Sequence, residues 1–69
     1  MKKFKYRFMR SLGGVCQEMQ YPKMDFVSDA TACRYARLVL GHDCFAIRLD
    51  ETELKEYSRL MSEMNRAYA

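Results

Sequence analysis

The stretch Ser28–Glu53, SDATACRYARLVLGHDCFAIRLDETE, decides the fold. Ser28 reads as an N-cap whose hydroxyl accepts from a backbone N–H in the first turn, and Asp29 sits at the positive end of the helix dipole. At about 100° per residue, Ala32, Cys33, Ala36, Val39 and Leu40 share one stripe, small enough for close approach to a sheet. Arg34 and Arg37 point outward, while Tyr35 and Leu38 lie off the stripe. Gly41 is the expected left-handed residue just past the helix end. The spacing therefore predicts a helix over 29–40.

A strand follows over 43–49, with Phe45, Ile47 and Leu49 in phase and Cys44, Ala46 and Arg48 opposite. Asp50 and Glu53 then form a capping box, each able to satisfy the other's free backbone N–H. That opens a second helix over 51–66; Leu54, Tyr57, Met61, Met64 and, just past its end, Tyr68 recur at spacings of three and four, with Leu60 beside them.

Working outward to the N-terminus, residues 3–10 (KFKYRFMR) alternate, with Phe4, Tyr6 and Phe8 on one side and Lys3, Lys5, Arg7 and Met9 on the other. This is a strand with one buried face. A second strand spans 15–21, and Gly13-Gly14 between them supplies the positive-φ positions of a two-residue hairpin turn. With that turn Leu12 faces Val15, Phe8 faces Met19 and Tyr6 faces Tyr21. A slip of one residue would set Phe8 against Glu18 and turn one apolar face into water. Pro22 ends the second strand, because it cannot donate to a ladder.

The order is β-β-α-β-α, and the expectation is an α+β fold in one domain, residues 1–69. A crossover through the first helix places the third strand beside the first, giving a three-stranded antiparallel sheet of order 2-1-3 with both helices on one face. The other face would then carry Lys3, Lys5, Arg7 and Arg48 in the open.

Bulk properties narrow the function classes. A chain this short buries only about 60% of its unfolded surface, which leaves little room for a deep cleft. Residues 1–48 hold nine Lys/Arg against four Asp/Glu, a net +5, while residues 49–69 hold three against five, a net −2. Such polarity suits an anionic surface on one side. Three cysteines, Cys16, Cys33 and Cys44, are an odd set without metal-type spacing, pointing to reduced thiols and a cytoplasmic location. The start, MKKFKYRFMR, has no apolar core of a signal peptide. No apolar run approaches the ~20 residues of a membrane span.

No motif selects a reaction. Glu51, Glu53 and Glu56 near Asp50 are an acidic helix start that capping explains. Cys33, His42, Asp43 and Cys44 match no structural zinc pattern. Gly13-Gly14 joins two strands and lacks the helix of a phosphate loop. The expectation is a non-enzymatic binding module with no cofactor or metal, working through a protein partner or self-association on helix surfaces: Tyr35, Leu38, Met64 and Tyr68. The alternative is nucleic-acid binding through Lys3, Lys5, Arg7 and Arg48 on the open sheet face.

Overall fold

A computed structural model describes residues 2–67. The elements are β1 (Phe4–Leu12), β2 (Val15–Glu18), β3 (Met24–Phe26), α1 (Asp29–Tyr35, continued by a π-helical turn at Ala36–Leu40), β4 (Cys44–Arg48) and α2 (Glu51–Ala67). The fold is α+β: one antiparallel sheet and two helices.

The hairpin forms in the expected register, with Leu12 opposite Val15 and Met9 opposite Glu18. Gly13 and Gly14 take φ of 57° and 80°, the left-handed backbone of such turns. The second strand does not run unbroken to Tyr21. Met19 N–H still bonds the Phe8 carbonyl at 2.9 Å, as the expected register requires. Beyond Met19 the chain leaves the ladder, Tyr21 N–H turns back onto the Met19 carbonyl at 2.9 Å, and Pro22 offers no donor. Pairing resumes at β3, displaced by three residues, so that Tyr6 faces Met24 rather than Tyr21.

Met9 and Arg10 each pair with both β2 and β4, and Tyr6 pairs with both β3 and β4. A strand has one neighbour on each side, so β2 and β3 share one edge of β1 and β4 takes the other. The expected order survives, with its second strand broken in two.

The expectation for the last strand's faces is overturned. Cys44, Ala46 and Arg48 lie opposite Arg10, Phe8 and Tyr6, while Phe45 and Ile47 lie opposite Met9 and Arg7. Directly opposed residues share a face. The packed face therefore combines large aromatics from β1 with small residues from β4. Tyr6, Phe8, Ala32, Ala36, Cys44 and Ala46 form the buried cluster, with Phe26, Tyr21 and Tyr35 packed against it. Ala46 beneath a helix of alanines lets α1 sit close; Phe45 in its place would hold the helix off.

Ser28 caps α1, accepting from Thr31 N–H at 3.3 Å. The π-helical turn then changes the phase of the stripe. Leu40 is half-buried, and Val39, expected inward, is exposed. Gly41 N–H bonds the Ala36 carbonyl at 3.1 Å. Gly41 itself has φ of 142°, outside the left-handed helical conformation expected of it and still a glycine conformation.

The capping box of α2 is complete: Glu53 N–H donates to Asp50 Oδ1 at 2.8 Å and Asp50 N–H to Glu53 Oε1 at 3.3 Å. The helix lies on the opposite face from α1. Tyr6, which bonds Asp29 of α1, and Arg7, which bonds Glu53 of α2, are adjacent in the strand and point opposite ways. Both helices on one face, the sequence expectation, is thus incorrect. The cause is the parity of β4, which puts Leu49 on the Lys5 and Arg7 side, where it is 3% exposed beside α2.

Candidate functional site

Of the four residues expected to meet a partner, the three that the structure describes do not form one surface. Tyr35 is half-buried: its ring is 5.7 Å from Phe8 and 5.3 Å from Phe26. Its hydroxyl lies 2.9 Å from that of Tyr21, and this hydrogen bond, aided by burial, holds the Tyr35 phenol above its ordinary pKa. Tyr35 packs against the buried cluster. Leu38 is 74% exposed on the π-helical turn, on α1's side of the sheet. Met64 is 53% exposed on α2, across the sheet from it. Tyr68 lies outside the described residues.

Around Met64 the surface is larger than one side chain. Leu60 is 52% exposed and Met61 40%. The contacts of α2 explain why. Glu53 bonds Arg7 of β1, and the cleft beneath the helix is lined from Leu49, after β4, to Glu18 and Lys23 on the opposite edge. Tyr57 packs here, with the Lys5 and Lys23 ammonium groups 5.3 and 5.4 Å from its ring centre. A 17-residue helix is about 25 Å long, whereas three strand positions span only about 10 Å across. The helix crosses the sheet and continues past its edge, taking Met61 and Met64 with it.

Leu12 and Val15, read as part of the inward face, are also exposed, at the hairpin tip. They share the parity of Phe8, but α1 ends short of them: Arg10 Nη2 already reaches the last carbonyl of the π-helical turn, Leu40, at 3.4 Å. Only the relative lengths of strand and helix could have shown this.

The basic stripe is dispersed. Lys5 Nζ is 3.2 Å from Asp25 Oδ1, its register partner on β3. Arg7 lies between Glu18, at 3.4 Å, and Glu53, to which it donates. Arg48 is on the other face, its guanidinium 3.6 Å from the centre of the Phe4 ring. Lys3 is exposed. Lys3, Lys5 and Arg48 do converge, with Lys2, on a cleft of about 330 Å³ at the end of the sheet where β1 begins and β4 ends. Arg7 lines a separate cleft of about 180 Å³ beneath α2.

Among the described residues no three of His, Cys, Asp and Glu come together as a metal-holding group. Cys33 Sγ donates to the Ala46 carbonyl at 3.4 Å, Cys44 is buried with its sulfur 3.6 Å from that of Met19, and Cys16 is exposed. Among the same residues no helix is long and apolar enough to cross a membrane.

With this geometry established, comparison with protein-family models, curated proteins and solved structures finds no match to the chain.

Proposed function

We propose that this chain is a small non-enzymatic binding module of the cytoplasm that acts by contact with another protein, through the C-terminal half of α2. One observation carries the reading. The apolar seam of α2 is continuous, yet Leu54 and Tyr57 are partly covered by the sheet while Leu60, at the rim of the cleft beneath the helix, and Met61 and Met64 past it stand exposed. Unbranched methionine side chains adapt to a partner's shape at low cost. The cytoplasmic placement rests on three free thiols, an odd number in a short chain.

The test is capture from native lysate with the wild-type protein and with Leu60→Glu/Met64→Glu, each with and without nuclease. A protein retained by the wild type and by Leu38→Glu, insensitive to nuclease and lost with the double variant, supports the reading. Sedimentation of the purified protein in parallel distinguishes a foreign partner from a second copy. Unchanged capture by the double variant removes α2 from the interface, and loss on nuclease treatment replaces protein contact with nucleic acid.

A further inference from the structure

We infer that the cleft at the start of β1 is a binding site for a terminal phosphate monoester, as carried by a nucleotide or by the end of a nucleic-acid strand. Four cationic side chains line it, those of Lys2, Lys3, Lys5 and Arg48, against two carboxylates, Asp25 and Glu51. Asp25 is occupied by Lys5 at 3.2 Å. Among the described residues, Lys2, Lys3 and Arg48 have no carboxylate within ion-pair distance. The local surplus of two positive charges matches a phosphate monoester, which carries about −1.5 to −2 at neutral pH, better than a single carboxylate.

Arg48 is held in advance. Its guanidinium lies on the Phe4 ring, and Lys2 Nζ stands 5.6 Å from the same ring. Stacking uses the flat face of a guanidinium and leaves its N–H edges for two parallel bonds to phosphate oxygens. Ordering the side chain before binding lowers the entropy cost of those bonds. Phe4, Leu49 and Leu54 supply an apolar wall, which suits a phosphate attached to a carbon body rather than a bare ion. At about 330 Å³ the cleft is at the small end of ligand sites, sized for one nucleotide unit and not for a length of strand. This site is independent of the α2 surface proposed above.

The experiment is an amide NMR titration of the full chain with adenosine monophosphate, adenosine, and a trinucleotide with and without a 5′-phosphate. The two phosphorylated ligands are expected to shift amides of Lys3–Lys5 and Arg48–Leu54, and the two without a terminal phosphate to leave them unmoved. Equal affinity for the mononucleotide and the phosphorylated trinucleotide identifies a free nucleotide as the source; much tighter binding of the trinucleotide identifies a strand end. Arg48→Gln should weaken binding about tenfold or more, as for loss of a charge-assisted bond. Lys3→Gln, at an exposed position, should weaken it severalfold with folding untouched. The inference is overturned if about 10 mM nucleotide moves no amide of the cleft, if adenosine binds as well as its phosphate, or if Arg37→Gln weakens binding as much as the cleft variants do.

Discussion

Glu53 joins α2 to the centre of the sheet through Arg7. One carboxylate oxygen accepts from the Asp50 backbone N–H and closes the cap, while the other accepts from the Arg7 guanidinium of β1. The side chain that starts the helix therefore also sets where it crosses the strands. Both partners are partly shielded, at 22% and 37% side-chain exposure, so the pair is less screened than one in open solvent. Glu53→Ala should cost about 1–2 kcal/mol in urea unfolding, from a cap bond and a charge-assisted bond together. Asp50→Ala removes the cap alone and should cost about 1 kcal/mol. A Glu53→Ala cost no greater than that of Thr52→Ala would separate Glu53 from this role.

The parity of β4 is open to a direct comparison. Phe8 is 1% exposed in the main cluster, and Phe8→Ala should cost about 3–5 kcal/mol. Phe45, half-buried on the other face, should cost about 1–2 kcal/mol when cut to Ala, since less area leaves water. Equal losses for the two rings in thermal unfolding would contradict the observed register.

Ala36 is fully buried against the sheet. Ala36→Leu should destabilise by about 1–3 kcal/mol through overpacking, because α1 is held close by small residues on both sides of the contact. An unchanged melting temperature would mean that the helix can lift away freely.

Alkaline pH should weaken the fold through Tyr6. Burial first, and then its 2.5 Å hydrogen bond to Asp29, push the Tyr6 phenol up to about 12. In the unfolded chain it ionises near 10. Between those values the unfolded state gains by losing a proton that the folded state keeps, so this contribution is complete below about pH 10 and declines towards pH 12. Stability of Tyr6→Phe should start lower, for want of the Asp29 bond, and fall less steeply over that window. Parallel curves for the two proteins would assign the alkaline loss to other groups.

Gly41→Ala tests the end of the π-helical turn. A Cβ there would meet Asp43 Oδ1 at 3.1 Å, on a backbone with φ of 142°. About 1–3 kcal/mol of destabilisation is expected. Gly13→Ala at the hairpin tip, where a Cβ meets nothing within 4 Å, should cost less, near the 1–2 kcal/mol of left-handed backbone alone. The order of the two in urea unfolding is the check.

Local chemistry made much of this protein legible in its sequence. Ser28, the Asp50–Glu53 pair and Gly13-Gly14 act on backbone groups within four residues of themselves, and each does in the structure what its type dictates. Period-two alternation likewise sorted Phe4, Tyr6 and Phe8 from Lys5 and Arg7 within one strand. It could not say which set on β4 meets which set on β1, because Phe45-Ile47 and Cys44-Ala46 are both apolar and a one-residue shift exchanges them. Only tertiary packing decided it, by favouring the small pair beneath Ala32 and Ala36. From that choice came the opposite placement of the helices, the neutralising of Arg7 by Glu18 and Glu53, and the transfer of Arg48 to the Phe4 ring. The seam of α2 was plain from its spacing. Where it leaves the sheet was settled by the crossing direction of the helix, a quantity that no local pattern encodes.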